Sequence, residues 1–260
     1  MAEYKHIIFG VENNIATITF NRPKVLNAIN YEVIQEFSDI IESVFDDVEI
    51  RAVILTGNGK AFIAGADVAA LRSFNAAQGR EFTIYGQRVL HRLEEMKKPI
   101  IAAINGYAFG GGLEVALACD IRIASSNAKM GLPEVKLGIF PGYGGTQRLT
   151  RLTNYCTAKH LIFSGDSITA RRAYELGIVQ EVTEPDELID SAYNLARRIT
   201  ANSPIAVGMA KRTINMGMHM DLISACAFEA ENYTYCFASE DRLEGMDAFL
   251  EKREPSFKNK

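Results

Sequence analysis

Tryptophan is absent from the 260 residues, and proline (7), cysteine (4) and histidine (4) are scarce. With so few prolines and no Pro- or Ser-rich stretch, a proline-built rod or a long extended linker is excluded. The cysteines, Cys119, Cys156, Cys226 and Cys236, include no Cys-x-x-Cys pair, and the histidines His6, His91, His160 and His219 lie far apart. Nothing in that spacing supports a clustered zinc or iron–sulfur site, and the thiols read as reduced and structural. Neither charge sign is in large excess: 28 Lys+Arg face 32 Asp+Glu, for a formal charge of -4. The charges are interspersed and leave no basic footprint for nucleic acid or an anionic membrane. No stretch reaches about 18 uncharged apolar residues. The opening Met-Ala-Glu-Tyr-Lys-His has neither a long apolar region nor a small-residue cleavage site, so the chain reads as cytoplasmic.

What is present is ordinary in bulk. Apolar types make up 48% and charged types 23%, which excludes disorder and collagen-like structure. At about 150 residues per domain the length allows one large domain with an appendage. Residues 7–11 and 15–20 are β-rich runs broken by Glu12-Asn13-Asn14, a hairpin signal. Val33, Ile34, Phe37, Ile40, Ile41 and Val44 fall on one face of a helix over 31–45. Ala52-Val53-Ile54-Leu55 reads as a buried strand, followed by a helix over 78–96, a strand at 100–104, a glycine-rich turn, a short apolar helix to Cys119 and a strand at 120–124. That alternation predicts a layered α/β core. After Pro185 only helical spacing remains, over 186–201, 204–218, 222–237 and 243–252. The division expected is a core with the active site over 1–190 and a helical region over 191–260.

Chemistry concentrates in three loops. Asn105 to Cys119 places Gly110, Gly111 and Gly112 between a buried strand and an apolar helix. Glycines there permit positive φ and leave helix N-terminal N–H groups open to an anion. A tight, closely packed turn is the plainer use of the same glycines. No Lys-Ser/Thr follows, so phosphate binding of the P-loop kind is disfavoured. Glu114 is the single charge in its helix, and burial would raise its pKa into the range of a general base. Alternatively it pairs with Arg122. Pro133 holds Glu134 on a rigid turn, where a lone glutamate would ordinarily be just an exposed turn residue. In the third loop, 61–67, small residues could present another N–H, making a two-donor oxyanion hole with the first. Asp67 reads best as the N-cap of a helix starting near Val68.

At these loops the sequence resembles the enoyl-CoA hydratase/isomerase (crotonase) superfamily, and within it the hydratases. The resemblance runs through Asn21-Arg22-Pro23-Lys24, Leu26-Asn27-Ala28, residues 62–67, residues 105–114, Pro133-Glu134, Pro141-Gly142-Tyr143-Gly144-Gly145-Thr146-Gln147-Arg148 and residues 249–253. It implies an α/β fold: a crotonase-like spiral of repeated β-β-α units with a C-terminal helical trimerisation region, often doubled to a hexamer. The implied substrate is an acyl-CoA thioester, with its oxygen held by the N–H groups of Ala66 and Gly111. Glu114 would activate water for attack at C3, Glu134 would deliver the proton to C2, and the backbone of Gly142 would position the water. For coenzyme A the resemblance points to Lys24, to the backbone around Ala64 and Ala66 next to Asp67, and to Phe249 and Lys252 from a neighbouring subunit. Many hydratases carry a lysine where Ala69 stands; either Arg72, one turn on, replaces it or the contact is missing. Gly110 is implied among the residues that bind the substrate. Leu113, Leu132 and Tyr143, where many relatives have Cys, Gln and a smaller residue, would make the acyl pocket more apolar. The implied activity is reversible hydration of a 2-trans-enoyl-CoA in fatty acid β-oxidation or short-chain acyl-CoA metabolism, with no metal and no cofactor beyond the coenzyme A of the substrate. The rival readings are a family isomerase, a hydratase of a cyclic or branched enoyl-CoA, and a catalytically silent scaffold.

Overall fold

The computed structural model describes residues 4–260. Residues 1–3, part of the stretch read above as lacking a leader, lie outside the described residues. The chain opens with an antiparallel hairpin, β1 (Ile7–Glu12) and β2 (Ile15–Phe20). Asn13 and Asn14 both take positive φ, 50° and 63°, which asparagine tolerates and a two-residue turn requires. Helix α1 (Tyr31–Phe45) follows, its first turn capped by the Asn30 side chain accepting from the Val33 N–H at 3.0 Å.

Three spiral turns come next. The first carries β3 (Ala52–Gly57), β4 (Ala61–Ile63), α2 (Val68–Leu71) and α3 (Ala76–Glu95). The second carries β5 (Ile100–Ile104), β6 (Tyr107–Phe109) and α4 (Gly111–Ala118). The third carries β7 (Ile121–Ser125), β8 (Lys129–Gly131), a 3-10 segment (Pro133–Leu137), α5 (Gly145–Leu152) and α6 (Tyr155–Ser164). The remaining elements are β9 (Ser167–Thr169), α7 (Ala170–Glu175), β10 (Glu181–Thr183), α8 (Leu188–Thr200), α9 (Pro204–Gly217), α10 (Leu222–Phe237) and α11 (Glu240–Glu251). Each turn contributes one strand to a six-stranded sheet, ordered β1-β2-β3-β5-β7-β10, and one to a four-stranded sheet, ordered β4-β6-β8-β9. From β2 onward the larger sheet is parallel. Parallel strands are covered on both faces, and β5 is buried along its whole length. One face meets the main core with α1, α3 and α4. The other meets Leu188, Ala192 and Ala196 of α8.

The long elements stand close to where periodicity puts them. Helix α3 begins two residues before the expected Gln78, because Asn75 and Gln78 form a reciprocal capping box. Helix α11 begins at Glu240 rather than Leu243, capped by Ser239. The boundary expected near residue 190 falls inside α8, which packs on the sheet. Strands β4, β6 and β8 stand where turns and loops were expected. At three residues each they cannot display a period of two. No helix among the described residues is long and apolar enough to cross a membrane. The last three helices leave apolar side chains exposed, including Ile214, Leu222, Ile223, Phe237, Phe249 and Leu250.

Candidate active site

The site forms where the second spiral turn meets the first. Between β6 and α4, Gly110 takes φ +51°, and a Cβ on Gly112 would fall on the carbonyl oxygen of Ile63. Glycine therefore lets α4 start directly against β4. A Cβ on Gly111 would lie 4.0 Å from the Ala66 nitrogen, 3.7 Å from Ile29 Cδ1 and 3.8 Å from Tyr143 Cδ2, so two loops bring the backbone of Ala66 and Gly111 side by side. Around Ala66 the Ile29 N–H donates to the Gly65 carbonyl at 2.9 Å, and the Asp67 N–H to the Ile29 carbonyl at 2.8 Å. The N–H groups of Ala66 and Gly111 have no such backbone acceptor among the described residues. Two unpaired donors at a small gap, one opening a helix, suit a developing oxyanion.

Both glutamates face this region. Glu114 lies in the first turn of α4, 2% exposed, and its Oε1 accepts from the Gly145 N–H at 2.6 Å. Burial, reinforced by the charge of Glu134, pushes its carboxyl up to about 7, against the opposing pull of the Gly145 and Tyr143 amides and Arg148. The alternative pairing with Arg122 is absent. That guanidinium donates instead to the carbonyls of Ile178 and Cys119, both at 2.6 Å, and to Gln180. Glu134 is the second residue of the 3-10 segment, with Oε1 2.8 Å from where a Gly110 Cβ would sit. Its Oε2 is buried without a partner among the described residues, and burial raises its carboxyl to about 6. A buried, unpaired carboxyl oxygen is costly in a purely structural role. Two interacting carboxyls that titrate close together can hold one proton between them near neutral pH.

Tyr143 is almost fully buried. Its ring packs 5.4 Å from that of Phe82 and fills a notch in α3 where any Cβ on Gly86 would collide with it. Its hydroxyl has no partner among the described residues. Sequence reasoning gives Gly86 and Phe82 no role, and Gly145 enters only as part of the 141–148 match. A glycine in the middle of a helix, which costs about 1 kcal/mol relative to alanine, was the available signal for the first. A cavity of about 230 Å³ adjoins, lined by Ile29, Tyr31, Leu71, Phe74 and Phe82 among others.

The other expected residues are placed as follows. Asp67 caps α2, accepting from the Ala70 N–H at 3.5 Å, and pairs with Arg22 at 3.6 Å. Ala64, whose N–H donates to the Leu26 carbonyl at 3.0 Å, precedes Gly65 on the same loop. Leu113 and Leu132 are fully buried in the main core. Gly142 begins the turn into α5, its carbonyl accepting from Gln87 at 2.7 Å. Lys24 is exposed in the 3-10 turn Pro23–Val25. Ala69 and Arg72 are exposed on α2 and at its C-cap. Phe249 and Lys252 are exposed on α11 and its left-handed cap.

This geometry accompanies extensive similarity to known proteins. The sequence model of the enoyl-CoA hydratase/isomerase family matches residues 10–260. The short-chain-enoyl-CoA hydratase of Clostridium acetobutylicum is 48% identical over 260 residues, covering 99% of this chain and all of that protein. The crotonyl-CoA hydratase of Syntrophomonas wolfei is 45% identical over 258 residues, covering 99% of each. The crystal structure of an enoyl-CoA hydratase from Bacillus anthracis superimposes with a TM-score of 0.96 at 39% identity, covering 98% of this chain and all of that one.

Proposed function

Because the chain belongs to the enoyl-CoA hydratase/isomerase family, we infer that it is an enoyl-CoA hydratase, adding water across the C2=C3 bond of a 2-trans-enoyl-CoA to give the 3-hydroxyacyl-CoA. The observation that carries the reading is the buried Glu114 carboxyl and the half-buried Glu134 carboxyl, both raised above the usual range, beside two unpaired backbone donors. The thioester carbonyl accepts from the N–H groups of Ala66 and Gly111, which stabilise the enolate-like charge more than the neutral ground state. Ionised Glu114, beside the backbone of Gly142, takes a proton from water as its oxygen bonds to C3. Protonated Glu134 gives its proton to C2. The pair thereby moves one proton from Glu134 to Glu114; because Glu114 is the weaker acid of the two in the free site, hydration draws on the less populated tautomer, which exchange restores. By microscopic reversibility dehydration starts from the opposite tautomer.

The same proposal covers the rest of the substrate. Lys24, Arg72 and the Ala64–Asp67 loop hold coenzyme A, which enters as part of the substrate, and proton transfer with N–H donation completes the reaction without a separate cofactor. The acyl group is short. Two relatives are named for short-chain and crotonyl substrates, and the Tyr143 ring, backed by Phe82 and seated against Gly86, closes the space between α3 and Gly111. The exposed apolar faces of α9–α11 support a trimer, itself doubled to a hexamer, in which Phe249 and Lys252 reach the neighbouring coenzyme A. A cytoplasmic location belongs to the same proposal.

Turnover in ¹⁸O-labelled water tests the reaction class. Hydration predicts a 3-hydroxyacyl-CoA carrying the heavy oxygen. A product rearranged without solvent oxygen would assign the chain to isomerisation.

A further inference from the structure

Glu114 takes its hydrogen bond from the first residue of α5, and the turn before it is held at two successive carbonyls, one directly from α3 and one from Arg148 of α5. Gln87 Nε2 donates to the Gly142 carbonyl at 2.7 Å. Arg148 Nη1 donates to the Tyr143 carbonyl at 2.7 Å, and its guanidinium is itself held by Glu94 of α3 at 2.6 and 2.7 Å. A trans peptide unit is planar, with its C=O and N–H on opposite sides. A carbonyl fixed towards α3 therefore turns the N–H of the next residue away from α3. Two residues on, the Gly144 carbonyl accepts from the Gln147 and Arg148 N–H groups of α5, and the Gly145 N–H meets Glu114 Oε1 at 2.6 Å. The Tyr143 amide, in the plane held by Gln87, also favours the ionised carboxyl.

Gln87 differs from the other members of the clamp. Arg148 and Glu94 form a partly buried ion pair, whereas Gln87 is exposed and so contributes little to core packing. An exposed amide that reaches across to a backbone carbonyl beside the reacting group can be removed without a cavity. We propose that Gln87 is a positioning residue for hydration: its side-chain amide grips the Gly142 carbonyl and so fixes the turn that presents its N–H groups to the Glu114 carboxylate. This inference rests on the hydratase reading. The other charged or polar groups around Glu114 are Glu134 from the 3-10 segment, Arg148 from α5 and the Tyr143 hydroxyl.

The test compares wild type, Gln87→Met, which keeps length but loses the donor, and Gln87→Lys, which restores one. Each is assayed for kcat and KM with crotonyl-CoA between about pH 5 and about pH 9, alongside its melting temperature. Weaker donation to the ionised form of Glu114 moves its titration upward. The Met variant is therefore expected to lose about tenfold in kcat at neutral pH with KM changed by less than about twofold. One limb of its pH profile moves up by about half a pH unit and neither moves down. The Lys variant recovers most of the loss, and all three proteins melt together. A Met variant with wild-type kcat and profile overturns the inference. So does a loss that comes with an unshifted profile, with a lower melting temperature or without recovery by lysine, since each describes a merely structural contact. A wild-type protein that does not hydrate crotonyl-CoA overturns the hydratase reading as well, and is distinguished by needing no variant to be seen.

Discussion

Glu114 keeps a carboxyl that ionises at about 7 in a site almost closed to water, and the strain of that placement is measurable apart from catalysis. Its ordinary value is 4.5, so the folded chain holds the proton over a range in which the unfolded chain has released it. The associated stability is fully present below pH 4.5 and is lost as pH rises through about 7. The difference amounts to about 3 kcal/mol at about 1.4 kcal/mol per pH unit. Glu114→Gln retains an acceptor for the Gly145 N–H without the ionisation. Denaturant melts of the variant and wild type should therefore diverge in favour of the variant between those pH values and run parallel above them. A constant gap would mean that Glu114 titrates normally. On the proposed mechanism kcat/KM should be bell-shaped, with apparent values near 6 and 7 belonging to the coupled carboxyls jointly. A profile flat from about pH 5 to about pH 9 would remove them from the reaction.

At the scale of elements, function depends on how closely α3, α4 and the turn into α5 approach one another. A Cβ at Gly145 would sit 2.9 Å from both Cγ and Oε1 of Glu114. Gly145→Ala should thus lower kcat by about a hundredfold while circular dichroism stays that of the wild type. A variant of undiminished kcat would show that the contact does not matter. The Tyr143 ring needs the notch at Gly86, and Tyr143→Ala should open the acyl space. The ratio of kcat/KM for a 2-octenoyl to a crotonyl thioester is expected to rise by about tenfold or more, and an unchanged ratio would place the chain-length limit elsewhere. These approaches explain what was legible in the sequence. Helix α1 carries its whole buried face as a repeat of 3.6, and the glycines before Glu114 announce an open helix N-terminus. Strands β4, β6 and β8 are too short to show alternation. The Gly145 donation to Glu114 and the Gln87 grip on Gly142 join residues 31 and 55 apart, pairings that only the spiral creates.

The whole molecule combines two demands on one chain. The spiral brings Ala66, Gly111, Glu114 and Glu134 together from one chain. The exposed residues of α9–α11, with Ile223 84% and Phe249 82% accessible, form faces of a kind that soluble monomers rarely leave open over large areas. Light scattering should accordingly give three or six times the 28.7 kDa chain mass. Phe249→Ala with Lys252→Ala should raise KM for the thioester while leaving kcat nearly unchanged, and a monomer of full activity would contradict that assembly. The central claim is hydration by the Glu114–Glu134 pair. It is tested most directly by following the loss of conjugated enoyl-thioester absorbance from crotonyl-CoA with wild type, Glu114→Gln and Glu134→Gln. Rapid loss with the wild type, slowed by about a thousandfold or more in each variant at little-changed KM, is the predicted result. Loss at the wild-type rate in either variant, or no loss with the wild type, would contradict it.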